Sequence, residues 1–285
     1  MMTQLNAIAR LLIVSLWLLS AAAYGQDESV DSAADTNEDT APAATPAARA
    51  QFSSNTPTLL AQDLPQEQVM WLEVAGQKIL SLYSPDHSGE ARGGVILLPR
   101  HEQTITRHNR LFNLQQTLAD NRWHALMLTM PPLTTDTAEQ AQQTIAAAIS
   151  FFNSKGIYNM VLLGEGSSAN RLINYASQIS DKTQLKQIRG LALVDAKNQI
   201  NQQPITALLP KLKFPVLDIY FSGDRQAQLF AQQRLRSTKP LPRGQYQQVR
   251  MPRMGLRPQQ DEDKLSKRIR GWLNKTAAGF SVGVK

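Results

Sequence analysis

Gly164-Glu165-Gly166-Ser167-Ser168 lies between the apolar run Val161–Leu163 and a stretch, Ala169–Ala176, with helical spacing. A strand-to-helix turn that presents a nucleophile needs small residues two before and two after it, because the strained backbone presses against its neighbours. With Gly164 as the first small residue, the nucleophile slot falls on Gly166 and the second small position on Ser168. Moving the slot to Ser167 puts the bulky Glu165 at the first position. Moving it to Ser168 puts Asn170 at the second and the serine inside the first helical turn. Gly166 breaks no rule and tolerates a positive φ, but it has no side chain with which to attack.

The base is missing from its place as well. In a strand-turn-helix site of this kind the order along the chain is nucleophile, then acid, then histidine. His87, His101, His108 and His124 all precede Gly166. After the strand-like YQQVRMP the chain reads RMGLRPQQ and offers only arginine. Asp224, in FSGDRQ, does match the acid position, yet an acid without its histidine has no triad to orient. A hydrolytic alternative would need a displaced nucleophile, Ser167 or Ser168, with Asp224 and a histidine from elsewhere, such as His101.

Other chemistry is open to the same loops. The residues Gly164, Glu165, Gly166, Ser167 and Ser168 form a helix start, where N–H groups and the helix dipole favour an anion. Arg100 and His101, directly after the run GVILLP, complete a candidate anion-binding set. Plain capping of the first turn by Ser167 or Ser168 is the simpler reading. His101, Glu102 and Glu165 are metal-ligand types but lie singly on separate loops without ligand spacing, so no metal and no cofactor is assigned. Asp195, in LVDAK, is read as pairing with Lys197 or water.

The elements that would position these residues alternate along the chain. QVMWLEV and QKILSLY flank Ala75-Gly76 as a hairpin with a tight turn at Gly76. Five apolar runs of buried-strand type follow: GVILL (94–98), ALMLT (125–129), NMVLL (159–163), GLALV (190–194) and PVLDIYF (215–221). Runs without polar alternation suit a parallel sheet covered on both faces. Between them run helical stripes: Leu111, Leu114 and Leu118; Ala138, Ala141, Ile145, Ala148 and Phe152; Leu172, Ile173, Ala176 and Ile179. A last stripe holds Leu265, Ile269, Trp272 and Leu273. The fold class is α/β, a doubly wound, mostly parallel sheet with an N-terminal antiparallel hairpin. Such a sheet binds ligands beyond the carboxyl ends of its strands.

This order of hairpin, LLP loop, helix, strand, helix, then strand-GxGxx-helix resembles the α/β-hydrolase superfamily. More narrowly it resembles an uncharacterised domain-of-unknown-function family of secreted proteobacterial proteins within it. The resemblance covers nearly all of the chain beyond residue 66. It implies an elbow that commonly carries glycine where the hydrolases carry serine.

The ends of the chain set the expected compartment. Leu11–Leu19 is a short apolar core behind Arg10, followed by SAAAYG. That pattern reads as a secretory signal peptide, residues 1–25, and a nine-residue run falls short of the ~20 that span a bilayer. No transmembrane segment is expected in the mature chain. With no cysteine among 285 residues there is no lipid-bearing thiol, no disulfide and no thiolate nucleophile. Periplasmic export as a non-lipoprotein is the expectation. Residues 26–66 are acidic and rich in Ala, Thr and Pro, a composition that reads as a disordered linker. The domain proper is expected over 67–285.

Charge divides unevenly. Beyond Glu67 the chain holds 28 Lys and Arg against 15 acids, and from Lys182 onward 20 against six. Outside a cytoplasm the anionic partners that suit this sign are phospholipid head groups, lipopolysaccharide or acidic glycans, with no nucleic acid expected. The final helix, KLSKRIRGWLNK, has two readings: packed on the sheet with its charges in water, or lying on an anionic membrane with Trp272 at the interface. The sequence leaves the oligomeric state open. The leading functional reading is a non-catalytic binding or scaffold module for a cell-envelope component. Its alternatives are an esterase- or peptidase-like hydrolase using Ser167 or Ser168, and a peripheral protein held electrostatically on a membrane.

Overall fold

The computed structural model describes residues 57–100, 105–107, 109–132, 137–200, 203–252 and 263–278. Its centre is an eight-stranded sheet that opens on a hairpin of β1 (Val69–Val74) and β2 (Gln77–Ser84). Ala75 and Gly76 turn the chain with φ of 49° and 77°, the two positive values a two-residue hairpin loop requires. The strands that follow are β3 (Gly93–Leu98), β4 (Trp123–Leu128), β5 (Met160–Glu165) and β6 (Ile188–Val194). A two-stranded pair, β7 (Gln199–Ile200) and β8 (Gln203–Pro204), stands apart. The main sheet resumes with β9 (Val216–Ser222) and β10 (Tyr246–Pro252). Its order is β1-β2-β4-β3-β5-β6-β9-β10, with β1–β2 and β2–β4 antiparallel and every other pair parallel.

The central strands carry no polar phase because both of their faces are covered. Ile96 and Leu98 enter one apolar core while Val95 and Leu97 enter the other. The first core takes α3 (Ala138–Ser154) and α4 (Ser167–Gln178) through Ile145, Phe152, Leu172 and Ile173. The second takes α2 (Arg110–Ala119) and α7 (Lys264–Thr276) through Leu111, Leu114, Leu265 and Ile269. The predicted helical stripes are therefore the buried ones. Ile179 ends its stripe as the C-cap of α4 rather than inside the helix.

The last helix is packed. Trp272 is 7 % exposed, and its ring occupies the space that a side chain at Gly190 would take, 2.6 Å from the position of a Cβ there. Asn274 Oδ1 accepts from Arg92 Nη1 at 2.8 Å and Trp123 Nε1 at 3.3 Å, and Asn159 Nδ2 donates to the Ala277 carbonyl at 2.6 Å. Trp272 is thus committed to the core, and the reading that laid it in a membrane interface is corrected.

One further expectation needs correction. The folded unit begins before residue 67. The chain is helical over 57–62, here α1; Ala61 and Leu64 are buried in the second core, and Arg107 Nε donates to the Asp63 carbonyl at 2.8 Å. Three apolar positions, Leu60, Ala61 and Leu64, were too few to stand out of the Ala/Thr/Pro-rich background. Helix α6 (Arg225–Ser237) has no apolar stripe to mark it in the sequence, because its buried residues are Ala227, Ala231 and a charged one, Arg234. A short α5 (Lys182–Gln187) with no buried residue escaped notice for the same lack of an apolar stripe.

Arg234 is fully buried and so is Asp218, in the middle of β9. Their side chains form a two-point pair, Nε–Oδ2 at 2.8 Å and Nη2–Oδ1 at 3.0 Å. Arg234 Nη1 also donates to the Ala196 carbonyl at 2.7 Å, while the Tyr246 hydroxyl and Gln248 Nε2 donate to Asp218 Oδ2. Burial, reinforced by the Asp218 carboxylate, pushes the Tyr246 phenol far above its ordinary range. A buried pair with every arm engaged fixes α6, β9, β10 and the loop after β6 relative to one another.

Candidate functional site

The carboxyl ends of β3, β5 and β6 meet at the elbow. Gly166 has φ 59° and ψ −123°, and its N–H donates to the Val194 carbonyl at 2.8 Å. At Gly164 a Cβ would sit 2.7 Å from both Cα and N of Ala169, so the strand and the start of α4 cross with no room for a side chain. These are the two demands that a strand-to-helix elbow makes, a positive φ at its apex and a small residue two positions earlier. The slot assigned to Gly166 from the sequence is the apex in space.

The apex is also filled. A Cβ at Gly166 would lie 2.9 Å from Arg100 Cγ and 3.3 Å from its Cδ and Nε. The stem of Arg100, the second residue after β3, therefore occupies the volume in which a nucleophile's side chain would stand. Its guanidinium bridges two acids, with Nη2 2.5 Å from Asp195 Oδ2 and Nε 3.4 Å from Glu165 Oε1. Burial alone would lower the Arg100 pKa; the hydrogen bond to Asp195 and the field of Glu165 outweigh it and hold the group above its ordinary value.

Two more cations close the array. Arg110, in the first turn of α2, places Nη1 3.6 Å from Glu165 Oε1 and lays its guanidinium 4.7 Å from the centroid of the Phe221 ring. Lys197 Nζ is 3.7 Å from Asp195 Oδ2. The result is a chain of alternating sign, Arg110–Glu165–Arg100–Asp195–Lys197, with three positive and two negative members. Glu165 is nearly sealed, its side chain 3 % exposed, and its Oε2 has no hydrogen-bond partner among the described residues. Arg110 Nη1 is likewise buried without one. At 3.4 and 3.6 Å its two cations are within ionic reach of Glu165 but beyond a good hydrogen bond.

The polar residues that open α4 hold the surrounding loops. Ser168 is fully buried and its Oγ donates to the Pro99 carbonyl at 2.5 Å, tying the elbow to the end of β3. Asn170 donates to the Gln199 carbonyl at 2.6 Å and accepts from the Lys197 N–H at 3.1 Å. Arg171 donates to the carbonyls of Pro131 and Pro132, after β4, at 2.6 and 2.5 Å. The N-cap is Gly166, which has no side chain with which to cap the turn. Capping by Ser168 is therefore corrected, since its hydroxyl is spent on the neighbouring loop; Ser167 stands in the first turn, 8 % exposed.

The remaining candidates fall in different places. Asp224, at the acid position, accepts from the N–H groups of Gln226 and Ala227 at 2.8 and 3.1 Å and caps α6. His124 lies at the opposite end of the sheet, in register with Gly94, itself paired with Met160. Glu165 is five residues further along β5, a separation of about 16 Å at strand rise. His87 sits beside Asp120, Nδ1 to Oδ1 2.8 Å, behind the same end. Neither histidine serves Gly166. His101, Glu102 and His108 lie outside the described residues, as does the segment RMGLRPQQ. Among the described residues no three metal-ligating side chains cluster, and no helix is long and apolar enough to cross a membrane. The sequence does not single out Arg110, because nothing in HNRLF distinguishes a site arginine from a helix-surface one.

The sequence matches a protein family described as "Protein of unknown function (DUF3530)" over residues 9–137 and 132–275. The chain belongs to that family. No curated protein matches the sequence. Solved structures match the fold. The esterase domain of a Rhodothermus marinus protein superimposes with a TM-score of 0.56 at 9 % identity, covering 75 % of this chain and 99 % of its own. A putative dienelactone hydrolase from Klebsiella pneumoniae subsp. pneumoniae gives 0.57 at 12 %, covering 74 % and 98 %. Proline iminopeptidase from Mycobacterium smegmatis gives 0.58 at 10 %, covering 73 % and 98 %. At these identities the likeness is one of fold, and the DUF3530 chain has an α/β-hydrolase fold.

Proposed function

We propose that this DUF3530 protein is an exported, non-catalytic binding module that uses the disused catalytic end of its sheet to hold a polar, anionic component of the cell envelope. The observation that carries this reading is the filled elbow: glycine at the apex, and the stem of Arg100 in the nucleophile's volume. A hydrolase gains nothing from a guanidinium locked between two acids at that point, whereas a binding site does. The array has an excess of one positive charge, which draws an anion. Arg110 Nη1 supplies a donor and Glu165 Oε2 an acceptor, both without a hydrogen-bond partner among the described residues. Ligands that carry acidic groups among hydroxyls, such as acidic glycans or lipopolysaccharide sugars, match that combination. Export to the periplasm belongs to the same proposal and rests on the pattern of residues 1–25.

The second reading, an esterase- or peptidase-like hydrolase, draws on the activities named for the proteins of similar fold. Ser168 argues against it, since its buried hydroxyl is held by the Pro99 carbonyl; Ser167 is the serine left to it. Intact-mass analysis after treatment with a fluorophosphonate probe decides between the two. The expected result is no adduct. An adduct that disappears in Ser167→Ala would overturn the binding reading and establish a serine enzyme.

A further inference from the structure

Helix α7 shows the solvent an unbroken basic stripe. Its exposed residues are Lys264, Lys267, Arg268, Gly271 and Lys275, spaced so that they share one side of the helix. Leu265, Ile269, Trp272 and Leu273 face the core from the other side. None of the four cations has an ion-pair partner among the described residues, whereas Arg100, Arg110, Arg122, Lys197 and Arg234 all do. A helix face that is merely solvated usually mixes both signs. Here the helix itself holds no acid. Asp263 is turned to the Ser266 N–H as the N-cap, so among the described residues of this segment the one acid is already engaged at the Lys264 end. From Lys264 to Lys275 the stripe runs about 16 Å. Arg92 joins its far end through Asn274. Gly271, mid-stripe, carries no side chain to keep a flat surface away.

From this placement we propose that the exposed face of α7 is a docking surface for an anionic phospholipid bilayer. The apolar side of the helix is committed to the core, so the contact is adsorption at the head-group plane and not insertion. Four cations on one rigid face, unpaired among the described residues and pinned to the sheet by Asn274 and Trp272, present their charge to a plane of phosphates without reordering the protein. This inference is independent of the elbow site and survives or fails apart from it.

The test is co-sedimentation of the purified protein with vesicles of phosphatidylcholine alone or with about one third phosphatidylglycerol, at low and physiological salt. Binding is expected only with phosphatidylglycerol and should weaken as salt rises. The variant Lys264→Gln, Lys267→Gln, Arg268→Gln, Lys275→Gln should lose at least about tenfold in affinity with an unchanged melting curve. The variant Lys182→Gln, Lys186→Gln, Lys211→Gln, Lys213→Gln removes the same charge from exposed positions elsewhere and should lose less than about twofold. Equal losses in the two variants would reduce the effect to net charge and overturn the proposal. So would an absence of phosphatidylglycerol-dependent binding, or equally tight binding of a short DNA duplex with the same loss in the α7 variant, which would mark a general polyanion surface.

Discussion

At Gly166 two constraints act on one atom that is not there. A side chain would have to adopt φ 59° and ψ −123° and would meet Arg100 Cγ at 2.9 Å. Gly166→Ser should therefore cost about 1–3 kcal/mol of stability, read by urea denaturation, and should not create fluorophosphonate reactivity, because no histidine of the described sheet lies within reach. Reactivity gained by that single change would show that Arg100 moves aside and a base is at hand. His124 illustrates the opposite end of the sheet. Its Nδ1 accepts from the Asp86 N–H at 3.1 Å and lies 3.0 Å from the Tyr83 hydroxyl, so the neutral ring is the one that fits. Burial lowers its pKa, with Lys155 adding to the effect and Asp86 opposing it. A base whose folded pKa is depressed binds fewer protons folded than unfolded, so its contribution is intact above the unfolded value of about 6.5 and declines as pH falls through it. The melting temperature should drop between neutral pH and pH about 5, and His124→Asn, which keeps an acceptor, should flatten that slope. A slope of equal steepness in the variant would assign it to other groups.

Helix α6 docks with little apolar burial, through Ala227 and Ala231, and leans on one ion pair. Arg234 enters the core only because Asp218, Ala196 and Asn198 leave none of its polar arms empty, while the Tyr246 hydroxyl donates to the Asp218 carboxylate. Removing one partner strands a buried charge, so Arg234→Met should cost about 3–5 kcal/mol in urea unfolding. The double variant with Asp218→Asn should cost less than the sum of the two single changes, because no uncompensated charge remains. A cost for Arg234→Met under about 1 kcal/mol would mean that α6 is anchored by something other than this pair. Helix α4 shows a related division of labour. Its apolar residues dock it on the sheet, while Ser168, Asn170 and Arg171 hold the loops after β3, β6 and β4 around the elbow. Serines that read as candidate nucleophiles thus have a positional task.

For the molecule as a whole, the point at which the chain joins the folded unit is a testable boundary. Ala61 and Leu64 are part of the second core, beside α2 and α7. Limited proteolysis should cut ahead of residue 57 and leave a resistant fragment that keeps both residues. A chain started at Glu67 should be less stable than one started at Pro57 by about 2–5 kcal/mol, the range for deleting a buried leucine, measured by urea unfolding of the two. Equal stability would return 57–66 to the linker.

The sheet, its antiparallel opening and most of its helices were legible in the sequence, because both-face burial leaves apolar runs and one-face burial leaves stripes at helical spacing. So was the glycine at the apex, since the steric rule for an elbow is local and Gly164, Glu165 and Asn170 decide it among themselves. What the sequence could not hold was long-range. That Arg100 fills the apex, that Arg110 reaches Glu165 across from another helix, and that Asp218 takes a buried arginine sixteen residues away all depend on loops being brought together at the carboxyl ends of strands. A charged residue carries no periodic mark of burial. Its partner is chosen by the fold's closure, where an unpaired charge would be too costly, and only the tertiary structure makes that choice.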